Sequence, residues 1–454
     1  MDSPARASAT PLSPPRRQRR SGRLSKGRRR LLIALLGLLT VGIALYSIDR
    51  LLAHTLCRGG SWSGAPSDHF DGKRFHNVFP GTAVIHGTGS GFKWLFGMSE
   101  RGLYPRVSEN AYRPELAPSV DGPDWECTMV NHSTMLIRTA GLNILTDPVW
   151  SDYVSPVQGV GPARHRPPGI VWEDLPPIDI CLLTHDHYDH FDAATLRRLR
   201  LRDNPLFIVP LGLRALLEYH IGPARIEERD WWESVSAGKL SITLTPAHHW
   251  SNRYRGSSNH NLSLWCGYWL ESPGGPRICY VGDTAASPAF EHIRRRLGAP
   301  DLALIPIGAY RPDWLRHHHV SPDEAVDIFL ALRAKQALGC HFGTWQLGHE
   351  GYDETLIDLS TALHRRGIRS ERFIAAENGR SFRGRVSERH PRSSSPAGGS
   401  ESRRQPQDEP PRTTAASATE AASSSSAEAA SQPLRTAAKA PTGAQDAARF
   451  AARA

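Results

Sequence analysis

The chain has 454 residues, of which 39% are hydrophobic and 22% charged, and it carries a net charge of +10 at pH 7. The positive charge is concentrated at one end: residues 1–30 hold ten basic residues and one acidic residue, whereas residues 31–384 carry a net charge of −2. A folded part that is close to neutral argues against a nucleic-acid-binding protein, and we predict no nucleic-acid partner.

The N-terminal segment combines a basic tail with an apolar stretch. Residues 1–30 are rich in Pro, Ser and Arg, which predicts a disordered tail. Residues 31–48 contain no charged side chain, and a helix of this length spans the hydrocarbon core of a bilayer. A cleaved signal peptide is the alternative, but no small-x-small cleavage site follows. We predict a single transmembrane anchor, with the N-terminus in the cytoplasm because Arg28–Arg30 precede it, and the remaining chain on the exported side, the periplasm in a bacterium.

Residues 60–125 are rich in Gly, Pro and aromatic side chains and are predicted to form an ordered lead-in rather than a separate domain. Within this segment, Trp94, Leu95 and Phe96 either pack against the protein or form a membrane-facing patch. Six cysteines are scattered singly through the chain, most of them in apolar runs, so we predict that they are buried small hydrophobic residues and not a disulfide framework.

Residues 126–384 alternate short apolar runs with helical patterns, which predicts an α/β layered domain. The predicted strands cover residues 135–137, 142–145, 180–183, 206–209, 240–244, 264–270, 278–281, 302–305 and 337–340. The predicted helices cover residues 193–201, 324–334 and 354–365, and Ser321-Pro322-Asp323-Glu324 has the pattern of a capping box before the second of them. From residue 385 to 454 the composition predicts a disordered low-complexity tail.

A cluster of metal-ligand residues follows the predicted strand 180–183. The pattern His185-x-His187-x-Asp189-His190 places imidazole and carboxylate groups, both good zinc ligands, on one strand-end loop. A polar surface loop is the alternative interpretation, but three histidines and two aspartates within six residues favour a metal site.

Three later strand ends each offer a further ligand. These are His248-His249 after strand 240–244, Asp283 after strand 278–281, and His341 after strand 337–340. Any one of them alone is an ordinary surface or capping residue, so the prediction depends on their joint occurrence.

This order of ligands resembles the metallo-β-lactamase superfamily, and within it the N-acylphosphatidylethanolamine-hydrolysing phospholipase D family. The similar stretches are Asn131-His132-Ser133-Thr134, Leu145-Thr146-Asp147-Pro148, Gly161-Pro162-Ala163-Arg164, Thr245-Pro246-Ala247-His248-His249-Trp250, Pro306-Ile307-Gly308-Ala309-Tyr310, His319-Val320-Ser321-Pro322-Asp323-Glu324-Ala325 and His341-Phe342-Gly343-Thr344. The resemblance covers roughly residues 65–380 and implies a four-layer αββα sandwich. The family pattern has Gly at the position of Asn131, and this departure leaves the exact substrate undetermined.

The resemblance also implies the roles of individual residues. One zinc ion would be held by His185, His187 and His249, and a second by Asp189, His190 and His341, with Asp283 as the bridge between them. Asp189, Asp283 and His319 are the implied catalytic residues, and His132 and Asp147 would orient the metal ligands. A structural role in a turn is the alternative for Asp147, and a solvated loop is the alternative for His317 and His318, which precede His319.

The implied function is a membrane-anchored binuclear zinc phosphodiesterase that cleaves a phospholipid with a metal-bound hydroxide. One alternative is another hydrolase on the same metals, such as a lactonase or other ester hydrolase. A second is a membrane-tethered binding protein without turnover, against which the complete ligand set argues. Whether the protein is a homodimer is open.

Overall fold

The computed structural model describes residues 25–55, 57–81, 101–253 and 259–386. Trp94, Leu95 and Phe96 lie outside the described residues, as do residues 387–454 and most of the basic N-terminal tail.

The N-terminal apolar stretch forms one helix, α1 (Lys26–Thr55). Its large apolar side chains are exposed, with Leu38 at 71% and Leu45 at 63% of full exposure. Within α1, residues 26–48 are long and apolar enough to cross a membrane. Length and apolar composition alone identify this helix as a candidate span, and a signal sequence near an N-terminus has the same two features.

The first of two sheets in the described part of the chain has seven strands. In order of pairing these are β14 (Ser381–Arg385), β1 (Asp124–Asn131), β2 (Thr134–Thr139), β3 (Leu142–Thr146), β4 (Ile180–Leu182), β5 (Leu206–Pro210) and β6 (Ile226–Arg229). The pairs from β14 to β3 are antiparallel and those from β3 to β6 are parallel.

The second sheet repeats this arrangement with seven further strands. In order of pairing these are β7 (Ser234–Ala237), β8 (Leu240–Thr245), β9 (Gly267–Glu271), β10 (Arg277–Tyr280), β11 (Leu302–Pro306), β12 (Gln336–Cys340) and β13 (Phe373–Ala375). The pairs from β7 to β10 are antiparallel and those from β10 to β13 are parallel.

Helices cover the outer face of each sheet. Helices α2 (Ala193–Arg202) and α3 (Arg214–Ile221) share an apolar cluster with β3 to β5. Helices α4 (Ala289–Leu297), α5 (Pro322–Leu332) and α6 (Tyr352–Arg365) share another with β9 to β13. The two sheets bury a third cluster between their inner faces, so the architecture is the predicted four-layer αββα sandwich.

The residues before β1 also contribute to the core between the sheets. Phe70 and Phe75 are almost fully buried there, with their ring centroids 4.7 Å apart. All six cysteines are buried and free, as predicted.

The predicted elements agree with the structure where the apolar pattern is strong. Each predicted strand overlaps an observed strand, although residues 264–266 precede β9, and each of the three predicted helices is present. Ser321 accepts a hydrogen bond from the Glu324 backbone N–H while the Glu324 side chain accepts one from the Ser321 backbone N–H, which confirms the capping box. The sequence did not predict α3, α4 or the five strands β1, β6, β7, β13 and β14.

Candidate metal centre

The residues of the candidate site stand at the ends of neighbouring strands. Residues 184–190 follow β4, Asp283 follows β10, and His341 follows β12 directly. His249 follows β8, and Asp147 follows β3 directly. Because strands β3 to β6 and β10 to β13 are parallel, their carboxyl ends lie at one edge of each sheet, and these loops meet across the top of the sandwich.

Three imidazoles form the first group of ligand-type atoms. His187 Nδ1 lies 2.7 Å from His185 Nε2 and 3.3 Å from His249 Nε2. Three converging nitrogens from neutral rings are a typical donor set for one zinc ion.

The second group lies beside the first and contains a carboxylate. Asp189 Oδ2 lies 3.4 Å from His190 Nε2, 3.4 Å from His341 Nε2 and 3.1 Å from His132 Nε2. His132 therefore contacts the same carboxylate as the two histidines that the resemblance implies to be ligands. Four ligand-type atoms converge here, one from each of these residues.

Asp283 lies between the two groups. Its Oδ2 atom is 3.2 Å from His190 Nε2, 3.0 Å from His341 Nε2 and 3.8 Å from His249 Nε2. One carboxylate oxygen thus approaches ligand-type atoms of both groups, which is the position a bridging ligand requires.

Asp147 holds the ring of His190 through a buried hydrogen-bond network. Its Oδ2 atom lies 2.8 Å from His190 Nδ1 and accepts hydrogen bonds from the Thr184 hydroxyl at 2.7 Å and the Tyr280 hydroxyl at 2.6 Å. Its Oδ1 atom accepts the Thr184 backbone N–H at 2.8 Å. Asp147 is thus both a turn residue and an orienting partner of His190, so the two roles are not exclusive.

Two further ligand rings are held in a similar way. His185 Nδ1 is 2.9 Å from the Thr184 hydroxyl, and His249 Nδ1 is 2.8 Å from the His318 carbonyl oxygen. A hydrogen bond at Nδ1 sets the ring orientation and leaves Nε2 free to bind a metal.

Three non-glycine residues at the site have left-handed backbone conformations. They are His132 (φ 46°), Asp147 (φ 35°) and His341 (φ 59°). Such conformations cost about 1–3 kcal/mol each and persist only where the surroundings fix them, as happens at functional sites. The His132 carbonyl accepts the His341 N–H at 2.7 Å, which ties two of the three together.

Burial keeps the first group of imidazoles uncharged. It lowers the pKa of His185 and His249 well below the usual value and that of His187 to about 3. Neutral imidazole is the form that binds metal ions.

The second group is electrostatically different. Burial alone would raise the pKa of Asp189 and Asp283, but the neighbouring histidines hold both pKa values well below the usual range. Burial alone would likewise lower the pKa of His341, but Asp283 and Asp189 raise it to about 9. The buried carboxylates of Asp189 and Asp283 thus favour positive charge at neighbouring groups. Bound divalent cations would provide this charge in place of the protons on the histidines.

The hydrogen-bonding capacity of the site also fits a metal centre. Several buried ligand-type atoms approach one another closely but form no hydrogen bond of good geometry among the described residues: His190 Nε2, His341 Nε2 and both Asp283 carboxylate oxygens. Leaving such groups buried and unpaired is costly, and a coordinated ion removes that cost. The donor set of imidazole and carboxylate suits zinc.

His319 borders the site but is less enclosed than the ligands. Its Nδ1 atom lies 3.7 Å from Asp283 Oδ2, and its side chain is 14% exposed. Burial lowers its pKa to about 4, so the ring is neutral at pH 7.

His318 does not lie in a solvated loop, which was the alternative for His317 and His318. His318 is half-buried, and its ring lies 5.4 Å from that of Trp250. His248, by contrast, turns away from the two groups and places its Nδ1 atom 2.8 Å from the Phe79 carbonyl oxygen.

Several residues of the site were not identified from the sequence. Tyr280 reaches Asp147, the Thr344 hydroxyl accepts the His132 N–H at 3.0 Å, and the Trp345 ring lies 5.2 Å from that of His132. Asp186, between two ligands, accepts the Gly60 N–H at 3.1 Å and so joins the ligand loop to the chain that leaves α1. Asp186 lies in the ligand-rich loop, Thr344 lies in a stretch similar to the family, and Tyr280 ends the strand before Asp283, so these three had a positional signal, whereas Trp345 had none.

Comparison with known proteins gives consistent matches. Residues 142–342 match the family described as the beta-lactamase superfamily domain. The N-acyl-phosphatidylethanolamine-hydrolyzing phospholipase D 1 of Caenorhabditis elegans is 37% identical over 267 residues, which are 56% of this chain and 74% of that protein. An uncharacterized protein of Mycobacterium tuberculosis is 35% identical over 57% of this chain and 68% of its own length. The mitochondrial N-acyl-phosphatidylethanolamine-hydrolyzing phospholipase D of Saccharomyces cerevisiae is 36% identical over 47% of this chain and 46% of that protein.

Proposed function

Because this chain belongs to the metallo-β-lactamase superfamily, in the family of N-acyl-phosphatidylethanolamine-hydrolysing phospholipase D-like proteins, and is a metal-dependent hydrolase, we propose that it is a membrane-anchored binuclear zinc phosphodiesterase acting on a phospholipid. The observation that supports this most directly is the position of Asp283 Oδ2, within 4 Å of ligand nitrogens from both groups.

We assign the metal ligands as the resemblance implies. His185, His187 and His249 would hold one zinc ion, Asp189, His190 and His341 the other, and Asp283 would bridge them. When bound, two zinc ions would make a water molecule nucleophilic at neutral pH and polarise the oxygens of a phosphodiester.

The protein's own groups would orient the reaction. Asp147 and Thr184 hold the rings of His190 and His185. The side chains of Asp189 and His319 are each 14% exposed, so a substrate would approach from this side. His319 would donate a hydrogen bond from its neutral ring to the departing oxygen, because its low pKa leaves it one N–H but no surplus proton at pH 7.

Anchoring would bring the enzyme to its substrate. Helix α1 would span the membrane with Arg28–Arg30 on the cytoplasmic side, placing the catalytic domain on the exported side. The Asp186 to Gly60 hydrogen bond supports a short connection between anchor and ligand loop.

The test is a substrate panel on the full chain reconstituted with zinc in lipid nanodiscs. We expect labelled N-acylphosphatidylethanolamine to yield phosphatidic acid and the N-acylethanolamine, and lactones to be left intact. Intact phospholipid together with hydrolysis of a lactone or another ester would reject this substrate assignment and favour the lactonase alternative.

A second arm addresses the binding-protein alternative. Asp283→Ala should abolish turnover of the phospholipid while the protein remains folded. Equal turnover by this variant and the wild type would refute the proposed centre.

A further inference from the structure

A pocket whose lining includes three arginines lies near the metal centre. It has a volume of about 420 Å³. Its lining includes Arg106, Arg164, His165 and Arg166, together with one acidic residue, Asp152. No role in the proposed reaction uses these residues.

Arg164 is the most deeply placed of the four. Only 7% of its side chain is exposed, and its Nε–H has no hydrogen-bond partner among the described residues. Its Nη2 atom donates to the carbonyl oxygens of Val149 and Ser151, which fixes the guanidinium in place. A buried guanidinium with an unused N–H donor lowers the stability of the protein unless a bound anion accepts a hydrogen bond from that donor.

The pocket has more positive than negative charge. Asp152 lies 3.9 Å from Arg164 Nε, but its own side chain is 80% exposed. Within the described residues, neither Arg106 nor Arg166 forms an ion pair, and the Arg166 guanidinium stacks on the ring of Tyr352 at 4.2 Å. Three guanidiniums against one solvated carboxylate favour a ligand with two negative charges.

Trp345 separates this pocket from the metal centre and touches both. The Arg164 guanidinium lies 4.4 Å from the Trp345 ring centroid, and the ring of His132 lies 5.2 Å from that of Trp345. His132 in turn contacts the carboxylate of Asp189. A molecule bound in the pocket would thus lie outside the metal centre, where the substrate bond is cleaved. It would still be close to His132, which contacts the carboxylate of Asp189.

We propose that the pocket formed by Arg106, Arg164, His165 and Arg166 binds a phosphate group other than the one that is hydrolysed. Guanidinium groups recognise phosphate through paired charge-assisted hydrogen bonds. The phosphate would belong either to a small soluble molecule or to the headgroup of an anionic lipid.

The experiment measures phosphate binding by the full chain in neutral detergent, using isothermal titration calorimetry with inorganic phosphate and with glycerol 3-phosphate. Each is titrated into the wild type, Arg106→Gln/Arg166→Gln, Arg164→Lys and, as a control, Arg198→Gln, which alters an exposed arginine on α2. All titrations are repeated in the Asp283→Ala background, so that phosphate bound at the metal centre is separated from phosphate bound in the pocket.

We expect the double variant to bind roughly tenfold or more weakly in both backgrounds, because it loses two charged donors, and the control to match the wild type. Arg164→Lys should show a smaller loss, since it keeps the charge but not the fork of donors. Equal affinity of the double variant and the wild type would overturn the proposal.

A nanodisc arm identifies the source of the phosphate. The thermal unfolding midpoint is compared between discs of phosphatidylcholine alone and discs that also contain phosphatidic acid. Stabilisation by soluble phosphate supports a small-molecule ligand, and stabilisation by phosphatidic acid alone supports a lipid headgroup, provided that the double variant loses either effect. Stabilisation of neither kind in the wild type would overturn the proposal.

Discussion

At the scale of single residues, the candidate centre is organised around carboxylates with different tasks. Asp283 approaches nitrogens of both ligand groups, whereas Asp147 lies behind His190 and is itself completely buried. The Asp147 carboxylate takes part in four hydrogen bonds with three residues, Thr184, His190 and Tyr280. Removal of Asp283 should therefore lower the metal content directly, because a proposed ligand is lost. Loss of a hydrogen-bond partner of Asp147 should lower it indirectly, because the ring of His190 is then less well oriented.

For Asp283→Ala we expect metal content to fall below that of the wild type and phospholipid turnover to fall more than about 100-fold, beyond the 10–100-fold typical of outer partners. The measurement is metal analysis combined with initial rates. Asp174→Ala, at an exposed position, is the control and should change neither. Full metal content in Asp283→Ala would contradict the bridging assignment.

Tyr280→Phe removes one hydrogen bond to Asp147 without opening a cavity. We expect it to lower metal affinity about tenfold, because the orientation of His190 depends on Asp147. Competition with a fluorescent chelator measures this affinity. The exposed Tyr219 provides the matched control, Tyr219→Phe, and equal affinities of all three proteins would show that Tyr280 does not act on the centre.

His69, which belongs to neither ligand group, gives a further residue-scale prediction. Its Nδ1 atom lies 2.6 Å from Asp68 Oδ1, its Nε2 atom lies 2.8 Å from Asp230 Oδ1, and its ring stacks on Trp231. Burial lowers the pKa of His69, but the two carboxylates outweigh it and leave the pKa above the usual 6.5. Because the folded pKa exceeds the unfolded one, this stabilisation is complete below about pH 6.5 and is lost as the pH rises through the folded pKa.

His69→Phe keeps the ring stacking but not the charge. We expect the difference in unfolding free energy between wild type and variant, measured by urea denaturation, to be largest at acidic pH and to shrink on going to alkaline pH. His364→Phe, at an exposed histidine, should show a difference that does not change with pH. A constant difference for His69→Phe would contradict a stabilising charged His69.

At the scale of elements, the start of α5 connects helix stability to the site. Ser321 and Glu324 form the capping box, and Glu324 is also bonded by Arg316 at 2.7 Å and 3.0 Å. Glu324 thus contacts Arg316 and Ser321, the residues three before and two after His319 in the chain. The cap therefore holds the polypeptide that carries His319 as well as the helix.

We expect Ser321→Ala to lower the unfolding free energy by about 1 kcal/mol, the usual value of an N-cap. Chemical denaturation measures this, and phospholipid turnover should fall with it because His319 lies two residues away. Ser360→Ala, at an exposed position within α6, is the comparison and should have little effect. An equal loss in both variants would remove the special role of the cap.

Apart from β1, which is buried at seven of eight positions, the strands that the sequence missed lie at the edges of the two sheets. Strand β11 is buried at all five positions and β12 at four of five, so both appear as continuous apolar runs. Strand β6, at the edge of the first sheet, has only Ile226 buried, and β7, at the edge of the second, has only Val235. Edge strands are specified by pairing with a neighbour, and their own sequence carries little periodic signal.

At the scale of the whole molecule, some residues of the site can be identified from the local sequence and others only from the folded structure. His185, His187, Asp189 and His190 lie within six residues, so their chemistry is visible in the sequence. The contacts of Tyr280 with Asp147 and of Thr344 with His132 join residues 133 and 212 positions apart. Such pairs form only when the two sheets pack together, and no local pattern predicts them.

The anchor gives a prediction for the complete chain. We expect the protein to remain in the membrane fraction after extraction with alkaline carbonate, because residues 31–48 would present only uncharged side chains to lipid. Leu36→Arg/Leu39→Arg should release it, since each arginine at the membrane centre costs about 2.5–3.5 kcal/mol. Leu36→Ala/Leu39→Ala is the control that should stay bound, and release of the wild type by carbonate would contradict the anchor.

The binuclear centre is the claim on which the proposed function depends, and metal analysis of the purified full chain tests it most directly. Plasma emission spectroscopy of the wild type, with His185→Ala alongside, should give close to two zinc ions per chain in the wild type and fewer in the variant. Well-folded wild-type protein that binds no metal when zinc is supplied, or a variant that retains the full content, would contradict the account.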